Sequence, residues 1–159
     1  MIVTPLQVAH ISEVLQLMGV GEPFVRARTL SDYWLYAELF ASTCPIAIGD
    51  DNTITGAVIA FRSQDDPVDV YVQDVVTHPR HRRQGIARAL LHSVRSQAEK
   101  WGCERLYLTS EPDNQAAHAS WIALGFANLP GDHKINGISV TTHFKGPDRS
   151  RAVYELPLT

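Results

Sequence analysis

Apolar positions recur at helical spacing at Val8, Ile11, Val14, Leu15 and Met18, which predicts a helix from Val8 to Met18, behind a short first strand, that stops before Gly19 and Gly21. From Gly19 to Leu30 the chain carries Gly and Pro without a period and reads as loop. Ser31 is the expected N-cap of a second helix running to Ala41, apolar at Trp34, Leu35, Leu39 and Phe40 and ended by Pro45. Asp32, Tyr33, Tyr36 and Glu38 ride on that helix, either as a solvated face or as a rim that meets a cationic ligand.

The pattern then shortens. Ile46 to Ile48 and Thr55 to Phe61 read as strands joined by the turn sequence Gly49-Asp50-Asp51-Asn52. After the polar loop Arg62 to Pro67, the run Val68 to Thr77 is apolar on both alternating faces, as expected of a central strand covered on each side. Gln73 and Asp74 interrupt it. Burying a carboxylate without a partner is costly, so Asp74 has a dedicated donor or opens onto a cleft.

Ile86 to Trp101 is strongly amphipathic, with Ala87, Leu90, Leu91, Val94 and Ala98 on one face, and Gly102 stands where the helix should end. Arg105 to Thr109 reads as a buried strand. Pro112-Asp113-Asn114 caps a helix to Leu124, closed by Gly125, and two strands follow, Ile135 to Phe144 and Ala152 to Leu156, around the turn Lys145-Gly146-Pro147-Asp148. Helices and strands are mixed, and a parallel crossover runs from the Val68 strand through the long helix to the Arg105 strand. These elements imply an α/β or α+β domain with a mixed sheet. No repeat or linker interrupts residues 1–159, so a single domain is expected.

Composition narrows the function classes. The net charge of −3 gives no general attraction to nucleic acid or an anionic membrane, so neither is expected as a partner. Cys44 and Cys103 lie far apart without metal-ligand spacing and read as buried free thiols in a reducing compartment; no metal is expected. The first residues lack a basic stretch ahead of an apolar core, and no apolar run approaches the roughly 20 residues that span a bilayer. A cytoplasmic location is expected.

Positive charge is instead local. Four arginines and two histidines crowd His78 to Leu91, between a strand and a helix, with Gly85 and Ala87 at the helix start. Free N–H groups at a helix N-terminus, its dipole and a residue without a side chain together form an anion site. Arg80 and His81 read as solvated residues at the loop tip.

Arg82-Arg83-Gln84-Gly85-Ile86-Ala87 resembles the Arg/Gln-x-x-Gly-x-Gly/Ala signature of the GCN5-related N-acetyltransferase superfamily. Asn114, Ala117, Trp121 and Leu124-Gly125-Phe126 are similar to the family's later helix and its Leu-Gly-Phe ending. The two matches lie between Val68 and Phe126. The resemblance implies a mostly antiparallel, twisted sheet of six or seven strands flanked by about four helices, with acetyl-CoA in the gap of a splayed parallel pair. Main-chain groups of Val75, Val76 and Thr77 would then pair with the pantetheine arm, and the N–H of Val76 or a neighbour would polarise the acetyl carbonyl. The N–H groups from Arg83 to Arg88, with Gln84, Gly85, Ile86 and Ala87 between them, would wrap the pyrophosphate. Arg82, Arg83 or Arg88 would add charge, while Asn114 and Ala117 would line the pantetheine or adenine side.

The implied chemistry is direct N-acetyl transfer from acetyl-CoA to a primary amine, without a covalent enzyme intermediate. An alkyl amine with a pKa near 10.4 is neutral about one time in a thousand at pH 7, so its proton must be removed. Asp74 is expected as base or relay, as substrate anchor, or as a structural acid; Glu111 is the second candidate. Trp121 stands where the family usually places a tyrosine general acid, and an indole N–H is no practical proton donor at neutral pH. Solvent, the ammonium product, Ser120, His118 or Tyr107 would then supply the proton, and Trp121 reads equally as a packed core residue.

The acceptor is less defined. Asp32, Tyr33, Tyr36 and Asp74, with Glu22, Trp34 and Glu38, suit a polycationic amine. Ser31-Asp32-Tyr33 and Tyr71-Val72-Gln73-Asp74 resemble parts of aminoglycoside N-acetyltransferases, which implies antibiotic modification. A protein N-terminus, lysine, polyamine or amino acid is the alternative acceptor, and a non-catalytic acetyl-CoA sensor is a third reading. A homodimer is compatible with all of these.

Overall fold

The computed structural model describes residues 1–21 and 25–158. Strands β1 (Ile2–Pro5), β2 (Pro45–Ile48), β3 (Ile54–Arg62), β4 (Asp69–Thr77), β5 (Arg105–Ser110), β6 (Ala127–Asn128) and β9 (Ala152–Pro157) form a seven-stranded sheet in the order β1-β2-β3-β4-β5-β9-β6. All neighbours are antiparallel except β4 and β5. Strands β7 (His133–Ile135) and β8 (Ile138–Val140) make a separate hairpin. The helices are α1 (Ile11–Gly19), α2 (Leu30–Leu39), α3 (Ile86–Lys100) and α4 (Gln115–Ala123).

Both faces of the central strands are covered, as their two-sided apolar pattern predicts. Val58, Val70, Val72, Leu106 and Leu108 pack with Leu90, Leu91, Val94 and Ala98 of α3. Ala57, Ile59 and Val76 belong to the opposite core, with Val14, Leu17 and Met18 of α1 and Tyr33 and Tyr36 of α2. Each buried Val, Leu, Ile or Met side chain here contributes on the order of 1.5–3 kcal/mol. Gly56 lets α3 approach: a Cβ there would stand 2.6 Å from the Ile86 Cγ2 and 3.1 Å from the Leu90 Cδ1. At the other end of α3, Gly102 adopts φ 76°, the Gly102 N–H donates to the Glu99 carbonyl and the Cys103 N–H to the Ala98 carbonyl, which closes the helix at the expected glycine. Cys44 and Cys103 are free and buried.

Several expectations are corrected. The α2 cap is Thr29, not Ser31: the Thr29 side chain accepts from the Asp32 N–H while the Asp32 carboxylate accepts from the Thr29 N–H, a reciprocal pair that Ser31 has no equivalent of. The buried face of α2 is also reversed. Tyr33 and Tyr36 are buried, whereas Trp34 is 47% exposed and Leu39 64%. The tyrosines win because their rings pack edge to face, 5.6 Å between centroids, while the Tyr33 hydroxyl accepts from the Arg28 N–H at 3.0 Å. The first helix begins with a 3-10 turn, Val8–His10, and becomes α-helical at Ile11.

The expected strand from Ile135 to Phe144 is broken at Asn136 and Gly137, whose φ values of 51° and 82° make a two-residue hairpin turn. Thr141 then bridges Arg151, and the chain turns through residues 142–149 before entering β9. That path brings the Lys145–Arg151 segment back toward the middle of the sheet.

Candidate active site

Strands β4 and β5 pair only at Asp69–Arg105, Val70–Leu106 and Tyr71–Tyr107. From Val72 onward they diverge, leaving β4 main-chain groups without a strand on that side. A cleft of about 910 Å³ opens in the gap, lined by β4 from Gln73 to Thr77, the start of α3, the end of β5 and one side of α4.

A bulge decides what β4 presents there. Ile59 pairs with Asp74 and Ala60 with Val72, so Gln73 is an extra residue in the ladder. Val70 and Val72 face the α3 core, but Val76 faces the α1–α2 core. The inserted residue therefore carries Asp74 to the α1–α2 side. Asp74 is 6% exposed, and among the described residues its Oδ2 has no hydrogen-bond partner. Burial raises its carboxyl above the usual range; Arg28, Gln73 and Lys145 oppose that shift without cancelling it.

At the other end, the loop before α3 is built from main chain. A 3-10 turn, Pro79–His81, leads to Arg82 in extended conformation, Arg83 at φ 64° and Gly85 at φ 76°. The Ala89 N–H donates to the Gly85 carbonyl, so the N–H groups of Ile86, Ala87 and Arg88 precede the intrahelical ladder. Among the described residues no side chain caps them, in contrast to Thr29 on α2 and Asn114 on α4. A Cβ on Gly85 would meet no atom within 4 Å, so the glycine serves its left-handed conformation and the open approach, not packing. Val75, Val76, Thr77, Arg82, Arg83, Gly85, Ile86, Ala87 and Arg88 all line the cleft. Gln84 lies apart from it, lining a second hollow of about 380 Å³ with Asp50, Asp51 and Thr55.

Helix α4 closes the far wall. Asn114 and Ala117 line the cleft, and the Asn114 Oδ1 also accepts from the Ala117 N–H at 3.0 Å, which caps the helix. Arg88 Nη2 donates to the Ala123 carbonyl at 3.2 Å, tying the start of α3 to the end of α4. The Trp121 indole N–H is committed to Ser110, with Nε1 2.7 Å from Oγ, and its ring packs on Phe126. Ser110, which sequence reasoning missed, lines the cleft at the end of β5.

The other candidates are dispersed. Glu111 lines the cleft, and its Oε1 lies 3.4 Å from Arg151 Nη2. Ser120 also lines the cleft while its hydroxyl donates to the Ala116 carbonyl, His118 Nδ1 lies 2.6 Å from the Tyr154 hydroxyl, and the Tyr107 ring packs at a tilt against Tyr71. Burial pushes the Tyr154 hydroxyl up to about 12. Asp32, Tyr33 and Tyr36 are not on the cleft wall. Asp32 is spent on the α2 cap, where hydrogen bonds from the Thr29 N–H and hydroxyl hold its carboxyl below the usual range. Tyr33 and Tyr36 stand behind Asp74, and the Tyr36 hydroxyl meets Gln73 Nε2 at 3.4 Å. Glu22 lies outside the described residues.

Missed as well were the cations opposite the loop. Arg26 and Arg28 enter from the segment before α2, and Lys145, Arg149 and Arg151 from the turn before β9. With Arg82, Arg83 and Arg88 they outnumber the two lining acids, Asp74 and Glu111, in a chain whose net charge is −3. The tract Lys145-Gly146-Pro147-Asp148-Arg149-Ser150-Arg151 carried the signal, but as a turn sequence rather than a motif.

A sequence model of the acetyltransferase (GNAT) family matches residues 13–126, and the chain belongs to that family. It is 31% identical over 110 residues to an L-2,4-diaminobutyric acid acetyltransferase of Bordetella parapertussis, a match spanning 69% of this chain and 56% of the relative. A second protein of that name, from Halomonas elongata, is 29% identical over 85 residues, 54% of this chain and 44% of its own. The chain thus spans about half the length of the curated relatives it matches. A solved diaminobutyrate acetyltransferase from Paenibacillus lautus, in complex with L-2,4-diaminobutyric acid and coenzyme A, shares the fold with a TM-score of 0.77 at 22% identity, over 98% of this chain and 93% of that one.

Proposed function

We propose that this protein moves the acetyl group of acetyl-CoA to a primary amine of a small amino acid. The observation that carries the reading is the splayed β4–β5 cleft, which joins an arginine-flanked helix start to a buried carboxylate, the one uncapped and the other with an unpartnered oxygen among the described residues. The acceptor class follows the diaminobutyrate relatives and takes precedence over the aminoglycoside expectation, because the cationic lining of the cleft repels a polycation.

The residues present fit acetyl-CoA. The N–H groups of Ile86, Ala87 and Arg88 and the adjacent Arg82 and Arg83 suit a pyrophosphate, and the unpaired side of Val75, Val76 and Thr77 suits an extended pantetheine arm. Acetyl-CoA supplies the acyl group as an activated thioester. Asp74 takes the ammonium proton directly or through a water, leaving the nitrogen a free lone pair, and its raised pKa makes it a better base than an ordinary aspartate. The Val76 N–H is placed to stabilise charge on the carbonyl oxygen. As the nitrogen–carbon bond forms and the carbon–sulfur bond breaks, the nitrogen sheds its remaining extra proton and the departing sulfur takes one up, so the transfer balances; Ser110, which accepts from Trp121, keeps its O–H free to hydrogen-bond the developing thiolate.

Thiol release from acetyl-CoA across a panel of amines tests the reading. Turnover is expected with L-2,4-diaminobutyrate and not with kanamycin or a peptide N-terminus. Turnover confined to kanamycin or to peptides overturns the acceptor; none with any amine, alongside tight acetyl-CoA binding, overturns catalysis in favour of a sensor.

A further inference from the structure

We infer that Arg28 and Lys145 form a carboxylate clamp beside Asp74, so that this site selects amines carrying a nearby carboxylate. The inference rests on the transferase reading and deepens it. Both cations line the same cleft as Asp74, although one enters from the segment before α2 and the other from the turn before β9. Each is held from the protein side. The Arg28 main-chain N–H donates to the buried Tyr33 hydroxyl at 3.0 Å, and its Nη1 donates to the Arg26 carbonyl at 3.2 Å. Lys145 Nζ sits 5.2 Å from the centre of the Tyr71 ring, on the same strand as Asp74, and the Tyr71 hydroxyl lies 3.4 Å from Thr109 Oγ1.

Among the described residues, no carboxylate lies within 4.0 Å of a nitrogen of Arg28 or Lys145. Asp74 feels both of them yet bonds to neither through Oδ2. One buried acid and two cations on the same cleft wall leave a local excess of positive charge that a simple diamine would increase. An amino acid relieves it, with its reacting nitrogen at Asp74 and its carboxylate on the two cations, where charge-assisted hydrogen bonds are available. The same arrangement gives two of the lining cations a role in a cleft that must admit an amine.

Steady-state kinetics of the full chain test this with three acceptors of matched length: L-2,4-diaminobutyrate, its carboxamide, and 1,3-diaminopropane, which lacks the carboxylate altogether. The unaltered protein is expected to favour the amino acid over both in kcat/KM by about tenfold or more, the scale of a charged hydrogen bond. Arg28→Gln and Lys145→Gln should each raise KM for diaminobutyrate while leaving kcat and KM for the carboxamide, and KM for acetyl-CoA, near normal. Lys145→Arg should retain the preference. Equal turnover of diaminopropane and diaminobutyrate by the unaltered protein, or a preference that survives both glutamine variants, overturns the clamp and leaves the transferase reading standing. No turnover of any amine overturns both.

Discussion

The two ends of the cleft present charge by different means. At the α3 end the donors are main-chain N–H groups, supplied by a loop of consecutive residues and a glycine at φ 76°. At the Asp74 end the groups are side chains drawn from β4, from the segment before α2 and from the turn before β9. Backbone recognition is contiguous in sequence because neighbouring amides act together. Side-chain recognition is assembled by the fold, and its parts share no spacing.

The sharpest way to break the contrast is to neutralise one side chain. Asp74→Asn should lower kcat/KM for the amine by about 10²–10⁴-fold, the usual span for a general base, with KM for acetyl-CoA unchanged. Unaltered turnover across the pH range would remove Asp74 from the reaction. Next in size, Gly85→Val should weaken acetyl-CoA binding by about tenfold or more in calorimetry, since a β-branched residue resists positive φ and would project into the approach to the amides. Normal affinity would mean that the main-chain cradle is not the cofactor's anchor. Trp121→Phe, which frees Ser110, should cost about 1 kcal/mol in chemical denaturation. If Ser110 also donates to the sulfur, Ser110→Ala combined with Trp121→Phe should lower kcat by less than the product of the two single effects.

The smallest effect is on stability against pH. The folded Asp74 carboxyl titrates above its ordinary value of 3.8, so the stability held by its protonated form is complete below that value and lost as pH rises through the folded pKa. Asp74→Asn should therefore melt at a higher temperature than the unaltered protein at neutral pH, with the gap closing as pH falls through the raised folded pKa and gone by 3.8. A gap independent of pH would show that the carboxylate is not strained by burial.

What was legible in the sequence follows the same division. Arg82 to Ala87 could be read because strand, loop and helix start are consecutive, and Gly102 because a C-terminal glycine answers a local backbone need. Arg28 and Lys145 could not, since nothing in their neighbours points at Asp74. Asp32 and Tyr33 are placed by contacts of the same kind: a reciprocal cap with Thr29 holds Asp32 at the surface, and the buried Tyr33 hydroxyl accepts from the Arg28 N–H. The Asn136-Gly137 turn was locally visible, yet the apolar run around it masked the break.

The extra residue in β4 has a consequence for how this protein can change over time. Because side chains alternate along a strand, Gln73 fixes the side on which Asp74 emerges by counting residues, whatever those residues are. Point substitutions along β4 can therefore retune the neighbourhood of the acid while its placement stays put. Removing a single codon here would turn the acid into the hydrophobic layer beneath α3, so the reading frame of the strand, more than its composition, holds the chemistry in place.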